Sequence, residues 1–552
     1  MNMNKNFRNA LLMLAVGAFA VSCADYNETN NFYAEPDPNV KSPYKDLATV
    51  KSYINREAYP NMSLGAALKL SEFKEQALAH AAAVANFNDY YFGTSFMSGA
   101  IINAKGVLNF IDFKEQLDHV EEVKGLVYGS AIAANTGQAD GWLNLLTAPI
   151  EILVEYQEAK SVDYNTVESF SGAGGKIVKK NGENVLQVNQ MAKVNIIDDF
   201  KVEPKATYTT QFWIKADKAA TFNVVFSGTK VDGPVSGGRF SIEPNNEWKR
   251  ISVDAQAAEG ETEGYLRLET ALGSTVFIRR VQVGFLPDNH REQTDTEKKD
   301  TIRYAMRSWC DGLMKNNAGR IKSFDLIEEP LSAITLEGTD IFDLKHSTDK
   351  IFWQDYFGDD THTGSELYAP VVSDAAITAF EKYGGNRNDL KFFICEKGLE
   401  DNKKYESLMY WIKIWEQNGA KIDGVNARVS LSYSEDATTQ AANEASYEKL
   451  LDNLKKSGKL IRLSNFDIKY YAADGTAVTT EKITSDQRQK LADYYANVIK
   501  KYLTTIDAEK QAGICKGNIV DSSDPVGLWA VENKDWVRTA TYKAFCDALS
   551  GK

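Results

Sequence analysis

The sequence predicts an α/β protein in which a parallel sheet, either closed into a barrel or doubly wound, is interrupted by an inserted β-sandwich. Helical patterns alternate with short apolar strands over residues 43–157 and again over 289–552, and strands separated by helices of that length pair in parallel. Residues 158–288 instead carry runs of period-two hydrophobicity punctuated by Gly, Asn and Asp. Because the α/β rhythm resumes afterwards, we expect the sandwich to lie in a loop of one α/β domain.

The individual elements follow from the same periodicities. Helices are predicted at 64–84, 301–316, 374–383, 403–418, 445–457 and 485–503, and α/β strands at 125–129, 321–327, 390–394, 422–425 and 460–466. Ser373 is predicted to cap the helix at 374–383. The sandwich strands are predicted at 208–214, 221–226, 248–253, 265–269 and 275–283. Trp213 and Trp248 fall on or beside these strands, and we expect both in the sandwich core.

Residues 1–23 have the pattern of an export signal. Lys5 and Arg8 precede an apolar run that is too short to span a bilayer, and small residues lead from it to Cys23. A Cys in this place resembles the lipobox of bacterial lipoproteins, which implies that Cys23 is the lipidated first residue of the mature chain. The polar stretch 24–42 is predicted to be a flexible tether. It is similar to surface-export signals of Bacteroides-type lipoproteins, which implies a surface-exposed position on the outer membrane.

Charge and cysteine usage narrow the functional classes. The formal net charge is −13 and no basic stripe is present, so we expect no nucleic-acid partner. Four further cysteines show no C-x-x-C spacing and no His at ligand spacing, so we predict no metal site and no cofactor. We expect these cysteines to be buried free thiols, with a disulfide between two of them as the alternative outside the cytoplasm. They are Cys310, Cys395, Cys515 and Cys546.

Carboxylates lie near several predicted strand ends. Glu328 and Glu329 follow the strand at 321–327, and a carboxylate at the C-terminal end of a barrel strand lies at the mouth where chemistry occurs. Neighbouring side chains on a strand alternate in direction, so we expect one of the two to point into the cleft. Glu396 and Asp467 occupy comparable places, as does Asp521.

Residues 43–157 and 289–552 together resemble glycoside hydrolase family 10, the (β/α)8 TIM-barrel xylanases, and the insert resembles jelly-roll carbohydrate-binding modules. In "FDLIEEP", Glu329 matches the family's general acid/base, while Glu328 replaces an Asn that contacts the sugar. In "LSNFDI", Asn465 replaces the nucleophilic Glu of the family. An amide cannot form the glycosyl-enzyme intermediate of a retaining enzyme, although it can hydrogen-bond a sugar hydroxyl.

Other positions that match the family's sugar-contacting residues also differ. In "GLVYGS", Tyr128 stands at a Trp, and in "IDGVNARVSLSY" Arg428 stands at a Gln. The remaining replacements are Thr94, Met97, Gly129, Ser430 and Gly517, the last at a stacking Trp. The resemblance therefore implies a conserved barrel with a rewritten site.

Four barrel aromatics are candidates for stacking on a sugar face. Trp353 and Tyr356 lie in the long loop after Glu329, Trp142 follows the strand that carries Tyr128, and Tyr128 itself matches a sugar-contacting position. Packing in the core is the alternative for each ring.

Three functions remain open at this stage. The first is a glycan-binding pseudoenzyme that captures β-linked, xylan-like polysaccharide and meets outer-membrane glycan-uptake components. The second is a glycosidase of altered mechanism, in which Asp467, Glu396 or Asp521 is the base of an inverting reaction with Glu329 as acid. The third is a scaffold protein that binds no sugar.

Overall fold

Eight parallel strands close into a barrel in the part of the chain before residue 148 and after residue 293. The computed structural model describes residues 43–74, 78–532 and 535–551, so the predicted signal, Cys23 and the tether lie outside it. The barrel strands are β1 (Ser63–Ala67), β2 (Asp89–Tyr91), β3 (Leu126–Gly129), β4 (Ser323–Glu328), β5 (Lys391–Lys397), β6 (Gly424–Arg428), β7 (Leu460–Ser464) and β8 (Gln511–Lys516). Each strand pairs with its neighbours in chain order, and β8 pairs with β1. The predicted (β/α)8 barrel is thus confirmed.

A helix follows each barrel strand. They are α1 (Leu78–Asn86), α2 (Ile111–Glu122), α3 (Asp295–Asn317), α4 (Gly364–Lys382), α5 (Asn402–Gln417), α6 (Ala437–Lys456), α7 (Ser485–Thr505) and α8 (Ala540–Leu549). Thr363 caps α4 in a capping box with Glu366, so the helix begins well before the predicted start. The predicted cap Ser373 is wrong, because its hydroxyl lies inside α4 and donates to the carbonyl oxygen of Pro370. No helix among the described residues is long and apolar enough to cross a membrane.

The loops carry further short elements. Short helices lie at Leu70–Lys74, Ser98–Ile101 and Asp140–Leu146, and short strand pairs at Leu331–Thr335 with Phe342–Leu344, Leu431–Ser434 with Ile468–Tyr471, and Trp529–Glu532 with Asp535–Arg538. The strand Ala133–Ala134 pairs with the end of β4. The four cysteines of the described chain are buried free thiols.

The insert enters the chain between β3 and α3 and forms a compact unit over 148–293. Two antiparallel sheets enclose one apolar core. One sheet comprises Gln157–Asp163, Gly175–Lys180, Glu183–Val188, Thr207–Lys215, Lys249–Gln256 and Val276–Phe285; the other comprises Lys193–Lys201, Ala220–Phe226, Thr229–Val231, Phe240–Ile242 and Glu263–Thr270. Trp213 and Trp248 are only half-buried, with Arg280 and Lys215 over their rings, so their assignment to the core is wrong.

The barrel interior contains a buried ion pair where many barrels of this class carry branched apolar side chains. Arg462 of β7 and Asp89 of β2 are both almost fully buried, with Nη1 2.5 Å from Oδ2. The hydroxyl of Ser63 lies 3.2 Å from the same guanidinium nitrogen, and the guanidinium carbon lies 3.9 Å from the centre of the Tyr128 ring. The pair joins strands that are not neighbours in the sheet, so it ties the barrel across its axis.

Arg462→Met is expected to lower the free energy of unfolding by about 3–5 kcal/mol, because it leaves the Asp89 carboxylate buried without its cation. Urea unfolding followed by tryptophan fluorescence measures this change. The matched control is Lys322→Met, which breaks the exposed pair with Asp389 and is expected to change stability by less than about 0.5 kcal/mol. Equal effects of the two substitutions would contradict the argument.

Candidate functional site

The carboxyl end of β4 places two glutamates at the mouth of the barrel, where the C-terminal ends of the parallel strands meet. Glu328 is the last residue of β4 and lies opposite Cys395 of β5. The next residue, Glu329, has a left-handed backbone with φ of 44°, and its N–H donates to the carbonyl oxygen of Cys395 at 2.7 Å. A left-handed conformation costs a residue such as glutamate about 1–2 kcal/mol. Other contacts must therefore hold Glu329 in place.

Three cations surround the Glu329 carboxylate. Arg428, the last residue of β6, donates from Nη1 to Glu329 Oε1 at 2.9 Å and from Nη2 to Glu328 Oε1. Lys397 of β5 donates to Glu329 Oε2 at 2.7 Å, and Lys345 Nζ lies 4.0 Å from the same oxygen. We refer to these five residues as the mouth cluster. Burial raises the pKa of the Glu329 carboxyl, but the hydrogen bond from Lys397 and the charge of Arg428 outweigh it, so the pKa is below its ordinary value.

Asn465, the residue predicted to match the family's nucleophile position, follows β7. Asn465 is exposed and left-handed, with φ of 54°, a conformation that Asn tolerates better than most residues. Its Nδ2 donates to the carbonyl oxygen of Val429 at 3.1 Å, which fixes the amide. Its Oδ1 accepts no hydrogen bond from the described residues and is left to accept one from a ligand. The amide can therefore bind a hydroxyl but cannot attack a carbon.

Asp467, the candidate base nearest to Asn465 in sequence, is held by a buried lysine. Lys516 of β8 is fully buried and pairs with Asp467 Oδ1, while Asn518 Nδ2 donates to Oδ2 at 2.6 Å. Gly517 separates these two partners, and a Cβ on it would lie 2.6 Å from Asp467 Oδ2 and 3.1 Å from Asn465 Oδ1. A tryptophan does not fit at position 517 beside this carboxylate. The loss of the stacking ring and the placement of Asp467 are thus coupled.

A buried hydrogen-bonded group lies below the mouth. Asp325 of β4 accepts from the Tyr128 hydroxyl at 2.7 Å, and Asn426 Nδ2 lies 3.0 Å from both of its carboxylate oxygens. Burial raises the pKa of Asp325 to about 7, although both hydrogen bonds and the charge of Arg462 favour its ionised form. The negative charge of Glu328 adds to the increase. The interior and the mouth are therefore electrostatically coupled through β4.

Three of the predicted stacking rings are buried. Trp353 is 1% exposed and lies in the barrel core, Trp142 is also in the core, and Tyr128 is in the barrel interior. The prediction that these rings stack on a sugar is wrong, because stacking needs an exposed ring face. Tyr356 is half-buried against the same core, and its role stays a prediction.

Two of the predicted carboxylate partners face helices instead of the mouth. Glu396 is buried, lies 3.0 Å from Lys404 Nζ of α5 and accepts from the N–H of Leu331 at 3.2 Å. Asp521 accepts from Arg488 of α7 at 2.6 Å. The predictions of Glu396 and Asp521 as bases for Glu329 are wrong, since both carboxylates serve as anchors for the loops around the barrel.

Sequence reasoning named Arg428 as a site residue but missed the lysines that accompany it. Lys397 follows Glu396 on β5 and therefore points to the opposite side of the sheet, so strand alternation was a usable signal for it. Lys345 reaches Glu329 from the loop after β4. Lys516 carries no signal of its own, because a Lys inside an apolar strand does not reveal its partner.

The comparisons with known proteins agree with this architecture. An endoxylanase from a sugarcane soil metagenome is similar over 91% of this chain and all of its own length, with a TM-score of 0.51 and 11% identity. A family 10 protein from Paenibacillus barcinonensis is similar over 90% of this chain and 96% of its own, with a TM-score of 0.50 and 11% identity. No curated protein sequence matches the chain. At such identities the likeness shows the fold alone, which is a (β/α)8 barrel.

The match to a family model covers part of that barrel. Residues 285–524 match the family model described as glycosyl hydrolase family 10. This segment includes the mouth cluster, Asn465 and Asp467.

Asp325→Asn is expected to flatten the pH dependence of stability. Because the pKa of Asp325 rises from its ordinary 3.8 to about 7 in the folded state, its contribution is fully present below pH 3.8 and is lost as pH rises to about 7. The advantage of the Asn variant over the wild type should therefore grow from pH 4 to pH 7 and then stay constant, as urea unfolding across that range would measure. Asp389→Asn at the exposed pair with Lys322 is the control. If the free energies of unfolding of the wild type and Asp325→Asn change with pH in parallel, the raised pKa of Asp325 is contradicted.

Proposed function

We propose that this protein captures β-linked, xylan-like polysaccharide at the mouth of its barrel without hydrolysing it. One observation carries the proposal: the only carboxylate that matches a catalytic residue of the family, Glu329, is engaged on both oxygens by cations. Its family counterpart acts as a general acid and must hold a proton near neutral pH, which calls for a raised pKa. The pKa of Glu329 is lowered instead.

The second requirement of hydrolysis is also unmet. A retaining enzyme needs a nucleophilic carboxylate about 5 Å from the acid, and position 465 carries an amide. An inverting enzyme needs a carboxylate that can activate water. Asp467 is the candidate left near the mouth, and its two oxygens are occupied by Lys516 and Asn518. The alternative of an altered hydrolase is therefore weaker than that of a binding protein.

The mouth offers hydrogen-bonding groups suited to sugar hydroxyls. The side chains of Arg428 and Lys397 remain 31% and 60% exposed despite their ion pairs, and Asn465 is exposed beside them in the family's site. The charged mouth also argues against a scaffold that binds through an apolar surface.

The cellular setting is part of the same proposal. The signal pattern of residues 1–23 and the lipobox-like Cys23 support a lipid-anchored protein of the cell envelope. The acidic, Asn-rich stretch after Cys23 supports surface exposure on the outer membrane. Glycan-uptake components of that membrane are the expected protein partners. Labelling of intact cells with a membrane-impermeant biotin reagent tests the surface position.

The purified full-length chain, tested against xylans, glucans, mannans and pectins, is expected to bind xylan and to release no reducing ends. Asn465→Ala should weaken binding about fivefold, because one hydrogen bond contributes about 1 kcal/mol. Isothermal titration and a reducing-sugar assay measure the two quantities. Asn388→Ala, in the exposed loop before β5, is the matched control and should bind like the wild type.

Glu329→Gln distinguishes a glycan-binding protein from an active glycosidase. A binding protein gives no product with either wild type or variant. Released oligosaccharide that disappears in Glu329→Gln would overturn the proposal and make Asp467 the first residue to test as its partner.

A further inference from the structure

The loop between β4 and α4 holds a second group of reactive side chains that the mouth cluster does not use. His346 and Asp355 lie in this loop, and Ser365 is the second residue of α4. His346 Nδ1 is hydrogen-bonded to Asp355 Oδ1, and His346 Nε2 lies 3.4 Å from the hydroxyl oxygen of Ser365. A carboxylate, an imidazole and a hydroxyl thus form a continuous chain.

The carboxylate end of this chain is fixed. Asp355 Oδ2 accepts from the backbone N–H of Ser347 at 3.3 Å, which leaves Oδ1 for the imidazole. A proton on Nδ1, held by Asp355, leaves Nε2 as the basic nitrogen in neutral His346. Asp343 Oδ2 lies 3.7 Å from Nε2, farther than Ser365 does. The tautomer that faces Ser365 is therefore the one that accepts a proton.

The hydroxyl end lies in the first turn of a long helix. Thr363 and Glu366 form the capping box of α4, which uses the N–H of Glu366. The backbone N–H groups of Gly364 and Ser365 donate to no acceptor among the described residues. Such N–H groups, at the positive end of a helix dipole, stabilise an oxyanion.

We propose that Ser365, His346 and Asp355 form the catalytic triad of a serine esterase, with carboxylic esters of short acyl groups as substrates. Geometry and roles define such a triad on unrelated folds, and contacts in the free enzyme are often looser than in the reacting complex. Ser365 is only 8% exposed, and short acyl groups are the substrates that need the least space beside a hydroxyl so buried. The side chain of His346 is 45% exposed, so the pair opens to solvent on the imidazole side.

The reaction balances with water as the only co-reactant. Ser365 Oγ attacks the ester carbonyl carbon while its proton moves to His346 Nε2, and the N–H groups of α4 stabilise the oxyanion. The bond from carbon to the alkoxy oxygen then breaks, and the alcohol leaves with the proton from His346. Water, deprotonated by the same nitrogen, attacks the acyl carbon. The bond from that carbon to Ser365 Oγ then breaks, Oγ takes back the proton from His346 Nε2, and the acid is released. Asp355 is a positioning residue that holds the tautomer and the imidazolium.

The pH profile distinguishes catalysis from a loop anchor. Asp355 and Asp343 are the charged groups that face His346, and the hydrogen bond from Asp355 is the largest cause of its raised pKa. Because the neutral imidazole accepts the proton, the rate should rise with pH through this raised pKa, above the ordinary 6.5. Asp355→Asn should move this rise in rate to lower pH and should reduce the maximal rate at high pH. An imidazole that only anchors the loop produces no such rise of the hydrolysis rate with pH.

The test uses the purified full-length chain with p-nitrophenyl acetate and with a fluorophosphonate probe. Hydrolysis is expected in the wild type, with losses of about a hundredfold or more in Ser365→Ala and His346→Gln. The probe should label Ser365, as located by peptide mass spectrometry. His362→Gln is the matched control, because this exposed loop histidine contacts Asp359 and Thr361 and not the triad.

Labelling is measured on the wild type, so its result tests the proposal even if Ser365→Ala misfolds. An unlabelled Ser365, or equal hydrolysis by wild type and Ser365→Ala, would overturn it. Neither readout involves a polysaccharide, so this proposal and that of glycan capture succeed or fail separately.

Discussion

Two glutamates at successive positions at the end of one strand repel each other unless a cation lies between them, and Arg428 provides that cation from β6. Its guanidinium has donors in a planar fork, so one side chain reaches Glu328 and Glu329 at once. Lys397 then neutralises the second oxygen of Glu329. The left-handed backbone at Glu329 persists because these contacts over-determine its position. The geometry of the mouth therefore depends on an ion cluster more than on packing.

The same dependence extends into the barrel. The interior carries Asp325 and the Arg462–Asp89 pair in place of consecutive apolar layers. Removing a cation from such an interior leaves a charge in a medium of low dielectric, whereas removing a methyl group leaves a small cavity. Since Glu328 also raises the pKa of Asp325, a change in the charge of Glu328 at the mouth changes the pKa of Asp325 in the interior. The mouth and the interior thus form one electrostatic unit.

The fold was predictable because its signals are local. Alternating helix and strand periods predict a parallel α/β sheet, and period-two runs predict the sandwich, whereas closure into a (β/α)8 barrel came from the resemblance. The helix predicted at 64–84 is wrong at its start, because Ser63–Ala67 forms β1. The start of α4 was missed because Ser373 resembles a cap, although the pattern from Thr363 to Glu366 has the form of a capping box. The positions of Glu329 and Asn465 came from short blocks that resemble the family. Their surroundings could not be predicted, because Lys345 and Lys516 lie in segments whose proximity no sequence spacing indicates. The burial of Trp353 could not be predicted from sequence either.

The replacements around β7 and β8 make physical sense as a set. An amide at 465 removes a negative charge, yet Asp467 restores one two residues later, and buried Lys516 compensates for it. Glycine at 517 is then required, because any side chain there would collide with Asp467. A Glu at 465 would add a second carboxylate beside Asp467, which is already paired with Lys516. Glu329, whose pKa is lowered, would still lack a proton to donate. If the protein is the binding protein proposed above, a Glu at 465 alone would therefore not supply both carboxylates that hydrolysis needs. In the proposed triad, the group that moves protons is His346, which lies in the loop that follows Glu329.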